Sequence, residues 1–262
     1  MGLIQAQEGS TQINIRAVNT GAKVAARVLT GGRVVKYDGD ASIDGVPNTA
    51  APVELNFMEV AGSSTGAFLP TKHMIDSFDG IEVTCMDVAM PMVIARAADF
   101  GLTGYETVAE LDANKDFFAR MEAIRIKAGA AMGMGDVSSS VTPKFGILAP
   151  AQSGGTAATR YFMPWNTHLT KAVTGSQCMA SCVLTPGTVA AGMYPMIENG
   201  PVTITLEHPT GKMDVIIDFE RKGGAIIHKF AWLVRTCRKL AQAMSLYRSQ
   251  YGKVHNESRD LR

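Results

Sequence analysis

One stretch of this chain leaves the fold little freedom. Residues 172–192 read AVTGSQCMASCVLTPGTVAAG. Thr174 stands where a helix cap would, Gly175 and Ser176 lead into Cys178, Met179, Ala180, Cys182, Val183 and Leu184, and Thr185-Pro186 stops the run. Apolar or small side chains fall on nearly every face of such a helix. A helix without a polar face cannot lie on a surface, so other structure must enclose it.

Most of what can do the enclosing reads as strand. In residues 11–21, Ile13, Ile15 and Ala17 alternate with polar neighbours, the period of a half-buried strand. Gly31-Gly32 forms a hairpin turn between KVAARVLT and RVVKYDG, and APVELNFMEV is a further strand. Residues 79–104 give two strands split near Ala89–Pro91. KDFFARMEAIRIKAGAAMGM, with Phe117, Phe118, Met121, Ile124 and Ala128 at helical spacing, is a second helix. KFGILAP is a short buried strand and RYFMPW is strand-like. Val202, Ile204 and Leu206 start a hairpin that turns at residues 208–212 and returns through Val215 to Phe219. AIIHKFAWLVRTCRKLAQAM alternates first and then turns helical with a basic end. The polar tail, residues 245–262, has no apolar face.

Length and charge narrow the class. At 262 residues and 46% hydrophobic, the chain suits one large or two medium domains. Its 25 Lys and Arg nearly cancel 24 Asp and Glu, which gives nucleic-acid binding no support. Four cysteines in a chain this long suggest buried, reduced thiols and a cytoplasmic setting. No apolar run approaches a membrane span, and the N-terminus lacks the pattern of a secretory signal.

Three groups of residues are candidates for chemistry. The start of the 175–185 helix, Thr174, Gly175 and Ser176, suits a docked carboxylate or phosphate, because a buried helix must satisfy its first N–H groups. Plain capping by Thr174 or Ser176 is the alternative. Cys178 and Cys182 share a face; no other cysteines complete a metal-ligand spacing, so no metal site is expected. Cys178 also lies too far into the helix for its dipole to activate it, which favours core filling. MGMGDVSSSVTPK, residues 132–144, offers Ser139, Ser140 and Lys144 to an acidic ligand, or is simply a polar turn before a strand. Arg160, His168 and Lys171 add further cations. No Asp or Glu occurs between Val137 and Met196. That run points to a polyanionic small molecule, with a solvated basic face as the alternative.

MGMGDVSSSVTPKFGILAP, AVTGSQCMASCVLTPGTV and LVRTCRKL, in this order, resemble the second half of the PrpF-type isomerases, which include 4-oxalomesaconate tautomerase and methylitaconate isomerase. MGLIQAQEGSTQINIRAVNTG resembles the segment after that family's first central helix. The likeness spans residues 2–240. It implies an α+β, diaminopimelate-epimerase-like fold, in which two pseudo-repeated halves each curl a mostly antiparallel sheet around a central helix. Here the first half would be incomplete: residues 1–80 a remnant of it, residues 81–244 the second half with its helix near 175–185. The cleft would hold substrate on Thr174, Gly175 and Ser176, with Ser139, Ser140, Lys144, Arg160 and His168 as weaker suggestions. The implied reaction is cofactor-independent proton transfer that moves a C=C bond in a small polycarboxylate. The acid and base, a Cys and a Lys, would lie upstream of Met1, so no catalytic residue is expected within the chain. A non-catalytic carboxylate-binding remnant and an amino-acid racemase are the competing readings. The missing helix would leave an apolar groove, so association, in the simplest case a homodimer, is expected.

Overall fold

The computed structural model describes residues 4–18, 23–58, 60–222 and 225–239. Its elements in chain order are β1 (Gly9–Arg16), β2 (Lys23–Gly31), β3 (Val34–Val35), β4 (Ala51–Met58), β5 (Asp76–Phe78), β6 (Ile81–Asp87), β7 (Pro91–Arg96), α1 (Val108–Ala113), α2 (Lys115–Ala131), β8 (Lys144–Pro150), β9 (Ala157–Phe162), α3 (Val173–Leu184), β10 (Val202–His208), β11 (Gly211–Lys222) and β12 (Ala225–Cys237). Eleven of the twelve strands follow one path, β1-β2-β4-β12-β11-β10-β9-β8-β7-β6-β5, with β3 on β2. Among the described residues, only β7–β8 and β9–β10 pair in parallel. No helix among the described residues is long and apolar enough to cross a membrane.

The period-2 alternation of the strands sorts side chains into two cores. On one face Met86, Met92, Ile94, Leu148, Tyr161, Ile204, Leu206, Val215 and Ile217 close around α3. On the other Val83, Cys85, Val93, Phe145, Ile147 and Phe162 pack under Leu111, Phe117, Met121, Ile124 and Ala128 of the two outer helices. Each fully buried Met or Leu contributes about 1.5–3 kcal/mol to this packing. From Gly175 to Leu184 every residue of α3 is buried, and the helix touches β6, β7, β10 and β11.

The outer helices are locally specified. Thr107 and Glu110 form a reciprocal capping box at α1, and the Asn114 side chain accepts from Phe117 N at the start of α2. α1 was not legible in the residue pattern, because six residues are too few to show a helical period. Arg125, fully buried on α2, pairs with Glu122 and donates to the carbonyls of Val137 and Pro143. It thereby pins residues 132–143 to the helix.

One sequence expectation needs correction. The segment expected to turn helical after Ile226 and His228 is instead strand through Cys237. It pairs with β4 from Met58 opposite Phe230 to Ala51 opposite Cys237. An irregularity at Asp218/Phe219 shifts the register, so the inward positions change from Ile226 and His228 to Ala231 and Leu233. That three-residue step from His228 to Ala231 imitates a helical spacing. β1, β2 and β4 join the rest of the sheet through β12. The expected tail lies outside the described residues.

Candidate functional site

The start of α3 is built by a reversal after β9. His168 N donates to Tyr161 O at 2.8 Å, and Thr167 N donates to Asp112 Oδ1 at 2.8 Å, which ties the loop to α1. The His168 ring meets Tyr161 edge-on, with centroids 5.8 Å apart, and its Nδ1 accepts from Thr170 N at 3.1 Å. The chain then enters α3 with Ala172 as N-cap, in extended backbone and with no side-chain cap. The capping alternative therefore fails. Ser176 Oγ donates backwards to Val173 O at 2.7 Å, and Thr174 makes no capping bond. The N–H groups of Val173, Thr174 and Gly175 are left without a cap, and the first turn holds no acidic side chain. A β-carbon at Gly175 would lie 2.2 Å from Tyr161 Cε2, so glycine alone lets this turn rest on the Tyr161 ring.

Basic side chains gather on the inner side of this turn. Lys171 is 3% exposed, and its Nζ donates to Met179 Sδ at 2.8 Å. Burial, aided by Arg160, drives its pKa well below the usual lysine value, against a smaller opposing pull from Cys178. Burial also lowers the pKa of Lys144, the first residue of β8, with Arg125 adding to the effect. His168 is lowered by burial and by Lys171 and Lys144, opposed by its bond from Thr170. His208 joins this group, buried at the last inward position of β10 after Ile204 and Leu206. Burial and then Lys171 lower its pKa, while the Lys212 backbone and Asp44 oppose. The alternation Ile204, Leu206, His208 was the available signal for it, but the sequence reading placed His208 in the turn.

The other candidates are placed elsewhere. Arg160 alternates with the inward Tyr161 and so lies on the opposite face of β9 from α3. Its Nε donates to Glu106 O at 2.9 Å, its Nη1 to Thr159 O at 3.0 Å, and it covers the Tyr105 ring. Only its field reaches Lys171. Ser140 Oγ accepts from Thr142 N at 3.1 Å, Ser139 is exposed, and no hydrogen bond among the described residues ties either to α3. Around Ser139 and Ser140 the hydrogen bonds are those of a polar turn. Cys178 and Cys182 are core thiols: burial holds Cys178 well above its ordinary pKa and pushes Cys182 up to about 12. A thiol so placed is a poor nucleophile or base, which weighs against a two-thiol racemase.

The arrangement is a helix start with free donors, resting on an aromatic ring, beside buried amines and imidazoles. It suits a ligand that brings more than one negative charge. Comparison with known proteins agrees in kind. A family profile described as PrpF protein matches residues 1–246. YbhH of Escherichia coli strain K12 is 47% identical over 91% of this chain and 67% of its own length. The (4E)-oxalomesaconate Delta-isomerase of Novosphingobium sp. strain KA1 is 41% identical over 91% of this chain and 66% of its own length. A solved methylitaconate-delta-isomerase superposes with a TM-score of 0.76 at 28% identity, covering 91% of this chain and 66% of that one. The chain thus spans about two thirds of the length of the proteins it matches.

Proposed function

The chain belongs to the PrpF family, and from that premise we propose that it acts in isomerising a small unsaturated di- or tricarboxylic acid, shifting a C=C bond by proton transfer without a cofactor. The observation that carries this is the uncapped first turn of α3 beside Lys171, His168 and Lys144. The names of the relatives, an oxalomesaconate Delta-isomerase and a 3-methylitaconate isomerase, fit the same substrate class. We extend the family likeness to a diaminopimelate-epimerase-like architecture, which the enclosure of α3 by β6 through β11 supports.

Removing an allylic proton next to a carboxylate leaves an enediolate-like anion. Free N–H groups at a helix start, with basic side chains beside them, lower the energy of such an anion more than that of the neutral carbon acid. We assign the holding of substrate to Thr174, Gly175, Ser176 and His168, with Lys144 setting the field. Proton abstraction is assigned to none of the described residues. The raised pKa of both α3 thiols also favours a second reading, carboxylate binding without catalysis.

Proton exchange in deuterated water, followed by NMR on aconitate, methylitaconate and oxalomesaconate with binding titrated in parallel, separates the readings. The isomerase reading expects allylic exchange with at least one of them. Binding without exchange selects the second reading, and an absence of both sinks the two together.

A further inference from the structure

Two polar side chains of α3 are explained neither by the core nor by the turn that precedes them. Gln177 and Ser181 are fully buried. Among the described residues, both polar atoms of the Gln177 amide, and the Ser181 hydroxyl, lack a hydrogen-bond partner. An orphaned buried group of this kind destabilises the fold, and native interiors keep few of them.

Direction gives the Gln177 amide a meaning. Helical side chains lean toward the N-terminus, over the residues three and four positions earlier. Those residues are Thr174 and Val173, which carry two of the three uncapped N–H groups. Ala172, Val173 and Thr174 are only half-buried, whereas everything from Gly175 inward is closed. The unpaired amide therefore continues the donor set of the first turn toward the interior.

We infer that Gln177 is a recognition residue, whose amide receives the second oxygen-bearing group of a ligand that docks its first carboxylate on the N–H groups of Val173, Thr174 and Gly175. This rests on the proposed carboxylate site at the start of α3. An amide offers two N–H donors and a carbonyl acceptor. It donates to a second carboxylate or an oxo group, and accepts from an enol or carboxylic hydroxyl. Gln177 thus selects dicarboxylates and oxo acids over simple monocarboxylates. It also serves a substrate whose oxygen changes between oxo and hydroxyl forms, because turning the amide exchanges donor for acceptor.

The test titrates tricarballylate and butyrate by NMR against the wild-type chain and Gln177→Met, with thermal unfolding of each. We expect tricarballylate to bind about tenfold or more weaker to the variant, a loss of roughly 1.4 kcal/mol. Butyrate binding should stay unchanged and the Tm equal or higher, because Met fills the volume without the orphaned amide. Unchanged tricarballylate affinity overturns the inference, and so does an equal loss for both ligands. Should Met lower the Tm, Gln177→Leu must show the selective loss at wild-type Tm; if both variants are destabilised, Gln177 is a structural residue and the inference fails. A wild-type chain that binds neither acid overturns the proposed carboxylate site itself, a result distinct from wild-type binding that the variant retains.

Discussion

Lys171 is a lysine with a thioether for a partner. Its Nζ bonds Met179 Sδ at 2.8 Å, while Arg160 across the sheet repels it and Cys178 only weakly opposes the loss of its proton. Holding an ammonium there without a carboxylate costs several kcal/mol, so the group sheds its proton well below the ordinary lysine value. The unfolded chain then binds more protons than the folded one between that lowered pKa and about 10.5. The cost is full below the folded pKa and fades as pH rises toward the unfolded one, so stability climbs with pH across that window. Lys171→Met should raise stability at neutral pH by about 1–4 kcal/mol and flatten this climb. Denaturant titrations of both proteins from neutral to alkaline pH would show it. An unchanged slope in the variant would mean that Lys171 finds a counter-charge in the folded state.

On the opposite face of the sheet, elements meet through a carboxylate. Glu207, pointing outward from β10, accepts from the backbone N–H groups of Gln152 at 3.1 Å, Ser153 at 2.7 Å and Gly155 at 2.8 Å, and from the Tyr105 hydroxyl. Burial pushes its pKa up, but the Tyr105 hydroxyl and those three N–H groups outweigh it and hold the carboxyl at about 2. The clamp joins the β8–β9 turn, the loop before α1, and β10. Because the folded pKa lies below the unfolded value of 4.5, its stabilisation is complete above 4.5 and is lost as pH falls toward 2. Glu207→Gln should lower the Tm at pH 7 by roughly 5 °C, through the loss of charge-assisted bonds. It should also weaken the dependence of Tm on pH between about 5 and 2; a parallel shift at every pH would count against a charged clamp.

Such clamps mark the limit of what the residues alone disclose. The enclosed helix, the β8 strand and the β10–β11 hairpin were legible because apolar periodicity is a local property. Thr174-Gly175-Ser176 was legible as a helix start for the same reason. Which side of β9 Arg160 takes depends on counting from the strand's true first residue, Ala157, and the sequence reading began that strand at Arg160. Lys171 and His208 converge on one turn only through the β9 reversal and the β9–β10 pairing, both long-range. The unpaired state of Gln177 is a fact about its neighbours, which no local pattern contains.

At the scale of the whole molecule, β12 decides how the chain unfolds. Among the described residues it is the one strand that joins β1, β2 and β4 to the sheet wrapped around α3, and its pairing with β4 runs from Phe230 to Cys237. Phe57 on β4 and Ala231 on β12 both pack into the α3 core, so the two regions share buried surface as well as hydrogen bonds. Loss of either region uncovers apolar surface of the other, which is the condition for one cooperative transition. The chain supplies its own reporters. Trp232 on β12 stacks near Phe230, with ring centroids 5.2 Å apart, whereas Trp165 lies 55% exposed in the reversal before α3. In a Trp165→Phe variant, fluorescence follows Trp232 alone and far-ultraviolet circular dichroism follows the whole sheet. The two urea curves should coincide in midpoint and in slope. A fluorescence transition at lower urea, with a plateau before the dichroism changes, would show that β1, β2 and β4 unfold as a unit of their own and that the shared strand does not couple them.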